Sequence, residues 1–132
     1  MCQLTLPYFE SAYDLIRSAN RNGLEHRLIV EASCACSRLV SKYAPDGVDS
    51  HLIAIEKAEA WIRNEATEEM VIKAGDQAWK SYINHNCSAC ASAAYSAYSV
   101  SRSIYSENAA SHAERVSNGR DNVADVVREY LK

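Results

Sequence analysis

The chain is poor in everything that a phosphate-binding loop or a tight-turned β-protein requires. It holds four glycines and two prolines in 132 residues. Scattered glycines cannot build G-x-x-x-x-G-K or G-x-G-x-x-G, so nucleotide phosphates have no glycine cradle to sit in. There is no G-x-S-x-G nucleophile elbow, and the four histidines show no H-E-x-x-H spacing. Runs that alternate apolar and polar residues between turn dipeptides are missing, which argues against strands. Basic excess is missing too. The net charge is −3 and is spread over both halves, so phosphate neutralisation, and with it nucleic-acid binding, is not expected. The longest stretch free of Asp, Glu, Lys and Arg is Ser81–Ser101. Its Ser, Asn, Ala and Cys are too polar for a membrane span. MCQLTLPYFES has neither the basic start nor the apolar stretch of a secretory signal, so a cytoplasmic location is expected. Five cysteines, an odd number, then read as reduced thiols rather than a disulfide framework.

What remains is a globular composition, 48% apolar and 23% charged, with apolar residues recurring at helical spacing. The predicted fold is all-α: one domain over residues 1–132, a single compact bundle of five to six mostly antiparallel helices. Pro7, behind Thr5, opens a first helix with Tyr8, Ala12, Leu15, Ile16 and Ala19 on its buried face, and Asn22-Gly23 ends it. A second helix spans about Leu24 to Tyr43, with Leu28, Ile29, Ala32, Cys36, Leu39, Val40 and Tyr43 on one face. Ala44-Pro45-Asp46-Gly47 is a turn, and Asp49 or Ser50 caps a third helix that buries Ala54, Ile55, Ala58, Trp61 and Ile62. Thr67 with Glu68 and Glu69 starts a fourth, carrying Val71, Ala74, Ala78 and Tyr82 inward beside Trp79. Asn84-His85-Asn86 turns the chain. A fifth helix is expected from Ser88 to Ser106 or beyond, with Ala91, Tyr95, Tyr98, Arg102 and Tyr105 as a stripe among small residues. Small side chains let helix axes approach closely, which places this helix in the middle of the bundle. After Ser117-Asn118-Gly119 a short last helix aligns Val123, Val126, Val127 and Tyr130. Each glycine reads as a break between elements.

Residues capable of chemistry are few. Cys34 and Cys36 project about 200° apart on a helix and cannot grip one ion. His85, Cys87 and Cys90 form the best local cluster, since a turn brings the imidazole round to two thiols at i and i+3. The competing reading treats the cysteines as small apolar residues in an Ala/Ser helix. Glu56 and Glu59 share a face, with Arg63 one turn beyond Glu59, and read as solvated charge. Eight tyrosines against one phenylalanine mean many rings with a polar handle, the residue type that interfaces favour.

Arg38-Leu39-Val40, Tyr43-Ala44-Pro45-Asp46, Ile53 to Trp61 (IAIEKAEAW) and Asn64-Glu65-Ala66-Thr67 together resemble the Imm5-like family of immunity proteins. These accompany bacterial polymorphic toxins, with related small bacterial and phage proteins. The likeness covers roughly residues 28–113 and departs from the family where Ser and Tyr replace Ala. It implies a helical protein that neutralises a partner by binding, with no catalytic residue to carry over.

The expected function is therefore a small helical inhibitor that occludes a partner protein, either a toxin or a host defence component targeted by a phage. No enzymatic activity and no cofactor are expected. Tyr43 and Tyr82, at helix ends, are the candidate aromatic anchors, and Asp46 and Asp49 the candidate steering charges. The alternative is a metal- or small-ligand-binding helical module built on His85, Cys87 and Cys90.

Overall fold

The computed structural model describes residues 11–131. They form seven α-helices and no strand: α1 (Ala12–Arg21), α2 (His26–Leu39), α3 (Ser50–Ile62), α4 (Glu68–His85), α5 (Ser88–Tyr98), α6 (Ile104–Ser117) and α7 (Val123–Tyr130). The proposed opening of the first helix at Thr5, Pro7 and Tyr8, and Cys2, lie outside the described residues.

Local caps set most boundaries. The Ser11 hydroxyl accepts from the Asp14 amide, and the Asp14 carboxylate accepts in return from the Ser11 amide. Thr67 caps α4 by accepting from the Met70 amide at 3.2 Å. Asn86 and Asn118 end α4 and α6 in the left-handed conformation, at φ 52° and 50°. Asp49 stands at the N-cap of α3 without a side-chain bond. The second helix stops at Leu39, and Ser41–Tyr43 continue as one 3₁₀ turn.

Seven helices stand where five to six were expected because the fifth is broken. Ser99 and Ser101 turn their hydroxyls onto the carbonyls of Ser96 and Tyr98, three residues back. The carbonyl of Ser99 is taken by a distant group: His26 Nε2–H donates to it at 2.6 Å. A continuing helix would need that oxygen for the Ser103 amide. The chain reverses instead, and α6 returns antiparallel along α5.

Helix α2 separates two apolar cores. One side of it, with Val30 and Cys34, packs against Ala54, Ile55 and Ala58 of α3, Val71, Ala74 and Ala78 of α4, and Ala93, Ala94 and Ala97 of α5. The other side, with Ile29, Cys36 and Val40, packs against Ile16 of α1, Ala110 and Ala113 of α6, and Val123 and Val127 of α7. The single buried face read from the sequence is thus two faces. The wide divergence of Cys34 and Cys36 places one thiol in each core. Helix α5 is buried nearly throughout, as its small residues predicted.

Polar groups tie the layers together. Ser37 Oγ lies 2.8 Å from both Ser92 Oγ and Ser96 Oγ, while Ser92 donates to the Ala109 carbonyl and Ser96 to the Ser33 carbonyl. Three hydroxyl protons are shared among four contacts, so Ser37 donates to Ser92 or to Ser96 but not to both at once. Glu114 accepts from the amides of Ala12 and Tyr13, placing a carboxylate against the positive end of α1. Arg27 donates to the carbonyls of Trp61 and Ile62 and to Asn64 Oδ1, closing the end of α3 with its guanidinium 4.5 Å from the Trp61 ring centre. Trp61 is consequently half-buried under an arginine, not enclosed in the core as expected. Glu59 pairs with Arg38 through two 2.7 Å bonds, and Arg63 turns to Glu65. Gly75 is no break: it sits inside α4 where that helix meets α5.

Candidate functional site

The aromatic residues of three successive antiparallel helices meet on one side of the molecule. Trp79 and Tyr82 come from α4, Tyr95 and Tyr98 from α5, Tyr105 and His112 from α6. Spacings of three and seven residues keep each pair on one helix face. Trp79 lies 5.0 Å from Tyr82 and 5.4 Å from Tyr95. Tyr95 stacks on His112 at 5.2 Å and on Tyr105 at 6.1 Å. Tyr98 meets Tyr95 and Tyr105 edge-on at 6.4 and 5.9 Å. Edge-to-face and offset contacts at these distances are favourable and hold each ring in one orientation. All six rings are half-buried, each packed against at least one of the others. Ile83, one turn beyond Trp79, is 63% exposed.

One phenol on this face is anchored by a carboxylate. The Tyr98 hydroxyl donates to Asp76 Oδ1 at 2.6 Å. Burial, then this bond to a carboxylate, pushes the phenol well above its ordinary range. Burial, then Arg115, lowers the pKa of His112, which favours a neutral imidazole.

The residues singled out from sequence fare differently. Tyr82 belongs to the aromatic face. Tyr43 does not: its hydroxyl donates to Asp121 Oδ2 at 2.7 Å, and its ring lies under Arg120, 4.0 Å away, with Lys42 at 5.4 Å. It locks the α6–α7 turn rather than reaching outward as a free anchor. Asp46 and Asp49 are exposed around the Pro45 turn. Ala44 and Val48, from the same turn, pack with Tyr82 on Cys87, Ala89 and Cys90, so these residues do collect near one end of the bundle.

The expectation of reduced thiols fails at Cys87 and Cys90, which form a disulfide at the start of α5 with Cα atoms 5.2 Å apart. A paired sulfur offers no thiolate, so the alternative metal set of His85, Cys87 and Cys90 is not assembled, and His85 is exposed on α4. No group of three His, Cys, Asp or Glu suited to a metal occurs among the described residues. Among them, too, no helix is long and apolar enough to cross a membrane. His51, in the first turn of α3, is 3% exposed with Nδ1 unpartnered, and burial lowers its pKa.

Sequence reasoning missed most of the aromatic face. Tyr95, Tyr98 and Tyr105 were visible as a stripe on one long helix, but their meeting with Trp79, Tyr82 and His112 depends on how three helices pair. No family model, curated protein or solved structure matches the chain.

Proposed function

We propose that this chain acts by binding another protein across the α4–α5–α6 aromatic face, occluding the partner as an immunity protein does. The partner is a bacterial toxin or, for a phage-borne chain, a host defence component. The observation that carries the reading is the six-ring face itself. Tyrosine and tryptophan dominate binding hot spots because they contribute large area with few rotatable bonds. Here the rings already brace one another, so little further ordering is needed on docking. The motif likeness described above agrees with this reading. Exposed Asp46 and Asp49 lie at the turn beside Tyr82 and supply charge for steering toward a basic partner surface.

The test is capture of the partner from a strain carrying the neighbouring toxin or defence genes, followed by affinity measurements on variants. Trp79→Ala and Tyr95→Ala should each weaken binding by about 2 kcal/mol or more, roughly thirtyfold in Kd. Tyr130→Ala, at an exposed ring on α7, should leave affinity within about twofold. If both face variants bind like wild type while remaining folded by circular dichroism, the interface lies elsewhere. If a His112 or Glu59 substitution abolishes inhibition while binding persists, occlusion is the wrong mechanism.

A further inference from the structure

The Cys87–Cys90 disulfide lies where the N-terminus of α5 meets an open cavity of about 420 Å³. Tyr43, Pro45, Cys87 and Ser88 line that cavity together with two cations, Arg115 and Arg120. Arg120 spends Nε and Nη2 on the carbonyls of Ser117 and Val116, which fixes it in place and leaves Nη1 over. Arg115 is exposed. Both cysteines are buried, Cys87 at 1% exposure and Cys90 at 0%, but only Cys87 is among the residues that line the cavity. We propose that Cys87 and Cys90 are a redox-active pair that exchanges with a small carboxylate-bearing thiol, which Arg115 and Arg120 hold in this cavity.

The chemistry balances without an added oxidant. A small-molecule thiolate attacks Sγ of Cys87, the cysteine that lines the cavity. The Cys87–Cys90 bond breaks, Cys90 leaves as a thiolate and takes up a proton. A second small thiolate attacks the small molecule's sulfur in the mixed disulfide and releases Cys87 as a thiolate. One protein disulfide and two small thiols become a protein dithiol and one small disulfide, and the reverse sequence reoxidises the pair.

Local structure favours Cys87 as the thiolate released from the mixed disulfide and, in the reverse direction, as the attacking sulfur. It occupies the N-cap of an eleven-residue helix, and the Cys90 amide donates to its Sγ at 3.1 Å. Amides and dipole at a helix N-terminus stabilise a thiolate and raise its reactivity at neutral pH. Cys34 and Cys36 show the opposite surroundings. Each is sealed in an apolar core, and burial raises both thiols, that of Cys36 to about 12. A bridge between residues three apart also closes a short loop, so its entropic contribution to stability is at the low end for disulfides.

The experiment uses the oxidised full chain under native conditions. Glutathione, which carries two carboxylates, neutral 2-mercaptoethanol and cationic cysteamine are compared at equal thiolate concentration. Reactions are quenched by alkylation, and the Cys87–Cys90 peptide is read by mass spectrometry. Glutathione should reduce the pair about fivefold or more faster than cysteamine, and added salt should erase the difference. In Arg115→Gln, a surface change, and in Arg115→Gln with Arg120→Gln, the preference should fall progressively toward unity. Equal rates for all three thiols in the wild-type chain would overturn the proposal without reference to any variant. So would a disulfide that yields only once denaturant unfolds the chain.

Discussion

Gly75→Ala is a substitution for which two ordinary rules disagree, and the structure decides between them. Gly75 lies well inside α4, where alanine is better than glycine by about 1 kcal/mol on helix propensity alone. A Cβ built there would stand 2.9 Å from Ala97 Cβ and 3.0 Å from Tyr98 Cε1. Carbon atoms pack at about 3.5–4.0 Å, so α5 would have to retreat by roughly 0.6–1 Å. It has little room to do so. Ala93, Ala94 and Ala97 are fully buried, and Ser92 and Ser96 are bonded to α2 and α6. Overpacking of this kind costs about 1–3 kcal/mol. Subtracting the propensity gain leaves a net loss of about 1 kcal/mol, at most about 2. Urea unfolding should report that loss, and thermal unfolding a fall of about 3–5 °C in Tm. Adding Ala97→Gly removes one of the clashing atoms, so the two changes should couple favourably by about 0.5 kcal/mol or more. A Gly75→Ala chain stabilised by about 1 kcal/mol, as at an open helix site, would refute the close α4–α5 contact and with it the placement of Tyr98.

Two further outcomes follow from buried polar groups. His51 and His112 have lowered pKa values in the folded chain, chiefly through burial, so the unfolded chain takes up protons first as the pH falls through about 6.5. Their stabilising contribution is complete above that pH and shrinks below it. Urea midpoints should therefore drop between about pH 7 and about pH 5, and His51→Gln and His112→Asn should flatten the slope; midpoints that rise on acidification would contradict the burial of both rings. Asp121, lowered first by its hydrogen bond from Lys42 and then by Tyr43, acts only at more acid pH, through the carboxylate range. Ser37→Ala should cost about 1 kcal/mol by withdrawing the hydroxyl shared by Ser92 and Ser96, against less than about 0.5 kcal/mol for Ser41→Ala; equal losses would mean the serine network contributes nothing specific.

The all-helical class was legible in the sequence because its signals act within one turn of chain. Thr67 reaches the Met70 amide, and Gly23, Gly47 and Gly119 take positive φ, without help from distant residues. The central place of α5 was legible for a related reason: a helix of Ala and Ser has no large face to offer and gains most by close approach. Tertiary structure alone decided the rest. His26 ends α5 by claiming the Ser99 carbonyl from 73 residues away, and the local serine bonds at Ser99 and Ser101 do not by themselves mark that break. Apolar residues around most of α2 fit either one broad core or two, and only the arrangement of α1, α6 and α7 opposite α3, α4 and α5 makes it two. Glu59 had Arg63 at ideal helical spacing and took Arg38 instead, because that arginine fork arrives in bidentate geometry from a neighbouring helix. The aromatic face belongs to the same class of fact. Its rings are strewn over 34 positions, from Trp79 to His112, and become one surface only where three antiparallel helices pair in a register set by small residues such as Gly75 and Ala97.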